Sequence, residues 1–120
     1  MSADRDTRAW LQDILASIDN VEIYTAGLDF AHFASALQVQ HAVLFNLQII
    51  GEAANRLEGN FRAAHPAVPW SQMIGMRNVI VHGYFAVNLQ IIWKTIIEEL
   101  PRLKALLIPI LVAIDSGNAE

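Results

Sequence analysis

The chain has 120 residues, 54% of them apolar and 17% charged, with a net charge of −4 and no cysteine. These figures exclude disulfides and thiolate metal sites. They also exclude a broad basic surface for non-specific nucleic-acid binding, so any such contact has to be local. At this length one domain is expected, over residues 1–115, with 116–120 a disordered tail. The apolar surplus needs an outlet, since globular chains average about 45–50% apolar and about 25% charged residues. A membrane is not expected to be that outlet. The longest apolar run, Ala105 to Ile114, is interrupted by Pro109, and spanning takes about 20 apolar residues. The N-terminus, Met1-Ser-Ala-Asp-Arg-Asp, is charged and mixed, unlike a signal peptide. A cytoplasmic obligate oligomer is therefore expected, because such interfaces resemble a core cut in half.

Thr7 or Asp6 is placed to cap a first helix with the stripe Trp10, Leu11, Ile14, Leu15 and Ile18. Asn20 to Asp29, containing Gly27, reads as a connector. A long helix is expected from about Phe30 to about Arg62. It carries Phe33, Leu37, Leu44, Leu47, Gly51 and Ala54 on one side and Val39, Val43, Ile49, Ile50, Ala53 and Leu57 on another. Apolar on so much of its girth, it should bury one face in its own core and one against a partner subunit. His65-Pro66-Ala67-Val68-Pro69 breaks the pattern. Trp70 to about His82 is a short third helix, with Gly83 where a left-handed capping glycine would sit. Asn88 can cap a fourth helix, and Pro101 should kink it or start a fifth. Helix after helix without strand alternation gives an all-α bundle of four to five helices.

Chemistry concentrates in Gly75-Met76-Arg77-Asn78-Val79-Ile80-Val81-His82-Gly83-Tyr84-Phe85. Arginine is a fixed cation whose planar fork suits phosphate. Histidine is the side chain most easily poised to move a proton near neutral pH. Asn78 and His82 are about 40° apart around the helix axis, so the amide can hydrogen-bond the imidazole and fix its tautomer. His82 also falls at the helix C-terminus, where positive charge is favoured. Val79, Ile80 and Val81 should bury this helix, with Phe85 packing after the turn. The blander alternative, a helix cap and a surface charge, stays open on spacing alone.

The string Ile74-Gly75-Met76-Arg77-Asn78, continued by His82-Gly83-Tyr84-Phe85, resembles the signature of the HEPN superfamily and, within it, of its HepT branch. Asn46 to Leu57 on the long helix is similar to the family's equivalent helix. Val68-Pro69-Trp70 upstream and Trp93 with Leu100-Pro101 downstream also match, so the similarity covers roughly residues 5 to 110 in order. The resemblance implies an up-and-down, HEPN-like helical bundle forming a homodimer, with paired motifs facing each other across an interface cleft. It implies a metal-independent endoribonuclease without cofactor, the toxin of a type VII-like toxin–antitoxin pair in a prokaryotic cytoplasm. Arg77 would hold the scissile phosphate of an RNA substrate, His82 would transfer the proton, and Asn78 would orient either of them. The partner implied is a minimal nucleotidyltransferase antitoxin of the MntA type, which would transfer AMP to Tyr84. Gly83 and Glu52 would support the site.

Glu52 lies amid apolar residues, as a partner for Arg77 or as an ordinary structural ion pair. His32, His41 and His65 lack metal-ligand spacing and read as surface or core-edge residues. Trp10, Trp70 and Trp93 read as core rather than base-stacking platforms. Lys94, Arg102 and Lys104 could extend a basic rim, although Glu98 and Glu99 sit between them. The alternative function is a non-catalytic subunit that binds a nucleotide or substrate and docks a minimal nucleotidyltransferase.

Overall fold

Leu11, Ile14, Ile18 and Val21 have no solvent exposure and follow three- and four-residue steps, the spacing that places side chains on one helix face. They belong to α1 (Ala3–Thr25). The computed structural model describes residues 3–83 and 87–117. α1 begins before the expected cap at Asp6 or Thr7. It also runs through most of the expected connector, because Val21 and Thr25 are buried and the Thr25 hydroxyl donates to the Val21 carbonyl at 2.8 Å. The turn that follows contains Gly27 at φ +78°, a left-handed conformation that glycine adopts without steric penalty.

The single helix expected over residues 30–62 is three helices. α2 (Phe30–Ala34) is capped by Asp29, whose carboxylate accepts the His32 N–H at 2.9 Å. It stops because the Ser35 hydroxyl donates to the Ala31 and His32 carbonyls at 3.2 and 3.1 Å, local bonds that compete with helix continuation. Gln40 then donates to the Phe33 and Ala34 carbonyls at the end of α2, at 2.9 and 3.0 Å. α3 (Leu37–Arg56) ends where Leu57 turns extended, and α4 (Gly59–Ala64) follows. The buried residues of α3 lie on more than one face, as expected, but the second face, expected against a partner subunit, packs against α5 of the same chain while the first packs against α1.

α5 (Trp70–His82) has the expected bounds. The Trp70 indole ties its start to the preceding connector, donating to the Arg62 and His65 carbonyls at 3.1 and 3.0 Å. Its end differs from expectation. Gly83 has φ −129°, outside the left-handed region, and its N–H donates to the Val79 carbonyl at 2.7 Å. A Cβ there would stand 3.1 Å from that oxygen, so close approach rather than handedness favours glycine. Of the three residues expected to bury α5 near its end, only Ile80 is buried; Val79 and Val81 are 54% and 45% exposed.

Asn88 caps α6 (Leu89–Lys94) as expected, accepting from the Gln90 and Ile91 N–H groups at 2.8 and 3.2 Å. α6 runs through a π-helical turn, Thr95–Glu99, directly into α7 (Leu100–Asp115). The expected fifth helix therefore begins without a break in the rod. The wider turn carries the Leu100 N–H to the Thr95 carbonyl and places Pro101 in the first turn of α7, where a missing N–H is tolerated. Ile92, Ile96, Leu100, Leu103 and Leu107 close the core. Among the described residues there is no strand, and no helix is long and apolar enough to cross a membrane. The architecture is an all-α bundle, the fold class expected from the sequence.

Candidate active site

Gly51 and Arg77 mark a close approach of α3 to α5. A Cβ on Gly51 would fall 2.2 Å from Arg77 Cβ and 2.7 Å from the Met73 carbonyl oxygen. Any larger residue would push the two helices apart. The missing methyl lets the stem of Arg77 lie flat on α3, and one residue further along, Glu52 receives its head. Arg77 Nη2 stands 3.1 Å from Glu52 Oε1, while Nη1 donates to Asn78 Oδ1 at 3.0 Å. Arg56, one turn on from Glu52, donates from Nε to Oε2 at 2.8 Å. The Arg56 guanidinium in turn lies over the Trp10 ring, 5.6 Å from its centroid, within range of a cation–π contact.

The resulting cluster has two guanidiniums against one carboxylate, so it is locally cationic on an acidic chain. Arg77 is partly exposed, with 30% of its side chain open to solvent. It has five N–H donors, of which the contacts to Glu52 and Asn78 occupy only some. A phosphate can therefore reach the open edge of the guanidinium before it displaces the Glu52 carboxylate.

The structure thus brings together Arg77, Asn78 and Glu52 and adds Arg56. Glu52 does serve as the intrachain partner of Arg77. Asn78 turns to Arg77 and not to His82. His82 is exposed at the last position of α5. Five residues from Arg77, it lies about 140° around the helix axis and about 7.5 Å along it, so one chain does not present both groups on one face. Tyr84 and Phe85 lie outside the described residues, as do residues 118–120 of the tail.

The remaining candidates fall outside the cluster. His32 pairs with Asp29, Nδ1 to Oδ1 at 2.6 Å, and His65 packs on the Phe61 ring, 4.7 Å between centroids. The His32 N–H and side chain hold the Asp29 carboxyl below its ordinary value. Trp70 is buried, as expected of a core residue, whereas Trp10 and Trp93 are only half-buried against the core, Trp93 packing on Phe33 at 5.1 Å between ring centroids. The proposed basic rim is largely neutralised. Lys104 pairs with Asp19 and Glu22 at 2.9 and 3.1 Å, which holds its ammonium above its ordinary value, and Arg102 lies 3.8 Å from Glu99. Lys94 borders a hollow of about 490 Å³ between α5 and the α6–α7 rod, walled by Met73, Met76, Val79, Ile91 and Ile92.

Two functional-site neighbours were not legible beforehand. Arg56 carries a signal, four residues after Glu52, the spacing of a helical ion pair. Gly51 carries none, because its reason lies on α5.

The HepT-like family, described as "Ribonuclease HepT-like", matches residues 14–110. The chain is 38% identical over 100 residues to "Putative RNase MJ1380" of Methanocaldococcus jannaschii, covering 83% of this chain and 92% of that one. It is 37% identical over 100 residues to "Probable ribonuclease HepT" of Thermococcus cleftensis, covering 83% and 91%. It is 38% identical over 97 residues to "Putative RNase TTE0752" of Caldanaerobacter subterraneus, covering 81% and 87%. No solved structure matches. A bundle whose motif helix holds Arg77 and Asn78 against Glu52, matched over this length, belongs to the HepT-like ribonuclease family.

Proposed function

We propose that the chain is a metal-independent endoribonuclease, the toxin of a type VII-like toxin–antitoxin pair, acting as a homodimer in a prokaryotic cytoplasm. The observation that carries this reading is Arg77. Its stem is seated by Gly51 and its head is oriented by Glu52 and Asn78, yet it remains partly open to solvent. An oriented cation of this kind is suited to a scissile phosphate, because it needs little reorganisation as charge develops. The separation of Arg77 from His82 around α5 supports a site shared between protomers. Exposed Val79, Val81 and Ile91 supply apolar surface for the second copy beside the motif.

In this reading Arg77 neutralises the charge growing on the non-bridging oxygens of the phosphate. His82 of one protomer takes the proton from the ribose 2′-hydroxyl as O2′ attacks phosphorus. The bond to O5′ breaks, and His82 of the second protomer protonates that oxygen. The products are a 2′,3′-cyclic phosphate and a 5′-hydroxyl. Tyr84, next to the motif in sequence, accepts AMP from a minimal nucleotidyltransferase of the MntA type. The added phosphate occupies the cationic cleft and blocks RNA by charge and bulk.

The test is RNA cleavage in EDTA by the parent protein beside its His82→Ala variant, with the intact mass recorded. Cleavage by the parent alone is expected. Cleavage by both would remove His82 from the chemistry. Silence from both, with Tyr84 unmodified, would favour a subunit that binds a nucleotide without cutting RNA. Tyr84→Phe should keep cleavage and escape silencing by the nucleotidyltransferase and ATP. A variant still silenced through AMP transfer would overturn the regulatory half of the reading.

A further inference from the structure

Beside the Arg77 cluster, between α1 and α3, lies an open hollow of about 270 Å³ lined by Trp10, Asp13, Phe45, Gln48, Ile49 and Glu52. Its volume falls just below the range of about 300–1,000 Å³ of drug-sized ligand sites, which suits a single flat ring. Three properties set it apart from an ordinary surface dent. Phe45 is 63% exposed, one of two large apolar side chains of α3, with Leu37 at its start, that stand open to solvent. Trp10 forms a second aromatic wall, steadied by the Arg56 guanidinium at 5.6 Å. Glu52 belongs both to the lining and to the ion pair with Arg77, so the hollow and the proposed phosphate site share a wall.

We propose that this hollow is a nucleobase subsite, in which a base next to the phosphate held by Arg77 stacks on Phe45 against the Trp10 wall. The inference rests on the ribonuclease reading above and deepens it. Aromatic rings bind bases because every base offers a π-face. The polar lining adds selectivity. Asp13 presents a carboxylate, an acceptor for an exocyclic amino group, and Gln48 an amide able to donate and accept. Uracil alone among the four bases has no exocyclic amino group, so the subsite favours adenine, cytosine or guanine over uracil.

The experiment measures binding by the full dimeric protein, so that it stands apart from cleavage. The probe is a fluorescent eight-nucleotide 2′-O-methyl oligonucleotide, which cannot be cut through its blocked 2′ oxygens, read by anisotropy over a range of salt. Phe45→Ala is expected to weaken binding at least about fivefold and leave the salt slope unchanged, since no phosphate contact is lost. Arg77→Ala is expected to weaken binding and flatten the slope. Phe45→Trp should bind like the parent, whereas Phe45→Leu should bind like Phe45→Ala. An oligonucleotide with one abasic position should lose affinity for the parent and lose none for Phe45→Ala. Asp13→Ala should abolish the preference over uracil.

Undiminished binding by Phe45→Ala, with Arg77→Ala still impaired, would overturn the subsite and leave the ribonuclease reading standing. Binding by Phe45→Leu equal to the parent would overturn stacking in favour of plain apolar contact. A change in sedimenting mass on Phe45→Ala would make the face an interface between protein copies and overturn the subsite. No binding by the parent under any salt condition would overturn the RNA reading and the subsite with it.

Discussion

Gly51→Ala isolates the helix contact on which the cluster stands. Two opposing terms decide its sign. Within a helix, alanine is favoured over glycine by about 1 kcal/mol. Against that, the new methyl would sit 2.2 Å from Arg77 Cβ and 2.7 Å from the Met73 carbonyl. Neither obstacle is the far end of a flexible side chain, so α3 and α5 have to separate along their whole crossing. Overpacking of this kind typically costs about 1–3 kcal/mol, and two sub-contact distances on stiff atoms place it at the upper end. The expected net loss is about 2 kcal/mol, a fall in Tm of roughly 8 °C for a chain of this size. Calorimetry at one fixed protein concentration reads it, since association shifts Tm. Gly75→Ala is the control. It lies on α5, yet nothing stands within 4 Å of its Cβ position, so it should be neutral or stabilising by up to about 1 kcal/mol. RNA cleavage should fall in Gly51→Ala and persist in Gly75→Ala. A Gly51→Ala protein as stable as the parent, with cleavage intact, would refute the close-approach argument.

Glu52→Gln removes the only carboxylate of the cluster; kcat should drop several-fold as Arg77 loses its orientation, while oligonucleotide binding becomes more salt-dependent, and an unchanged kcat would mean that Asn78 alone orients the guanidinium. Pro109 is an exposed proline inside α7, so Pro109→Ala should restore a helical N–H and raise stability by about 1–2 kcal/mol, read by urea unfolding. The folded Asp29 carboxyl is held below its ordinary value of 3.8 by His32. A depressed carboxyl contributes stability above the unfolded value and loses it as pH falls through the folded one. Unfolding between about pH 5 and pH 2 should therefore be less acid-sensitive in Asp29→Asn, and identical acid profiles would contradict the pairing.

α5 was legible because Pro69 and Gly83 bracket it in sequence, and α6 because Asn88 is an unambiguous cap. The breaks on either side of α3 were not. The first depends on a hydroxyl of Ser35 choosing carbonyls of its own turn, and Gln40 makes that choice permanent from the next helix. For the turn at Leu57 no local bond explains the extended backbone. In the site, Arg77 was visible through its motif, and Glu52 through its setting among apolar residues. The direction of the Asn78 amide was not. Spacing offered it His82 one turn away, but the adjacent guanidinium stands closer and carries full charge, and charge-assisted bonds are the stronger. Gly51 was read only as one position of an apolar stripe because the atoms that require a glycine there belong to Met73 and Arg77, more than twenty residues away.

The cluster has to satisfy two opposite demands, and its exposure reconciles them. On the proposed ribonuclease reading, Arg77 must be oriented before RNA arrives, which asks for partners, and must release them when phosphate competes, which asks for weak ones. Were Glu52 fully buried, breaking its pair with Arg77 would strand a charge at a loss of about 3–5 kcal/mol. Here the two side chains are 38% and 30% exposed, and pairs open to solvent to that degree are worth about 0–1 kcal/mol. Phosphate can therefore displace the carboxylate for little. Glu52 is not stranded when that happens, because Arg56 keeps its other oxygen at 2.8 Å. Arg77 also keeps the Asn78 amide at 3.0 Å on the opposite side of its fork. Its stem cannot swing away while Gly51 leaves no room for movement between the helices. The close helix crossing fixes where the cation stands, and the solvent-screened carboxylate fixes only which way it points.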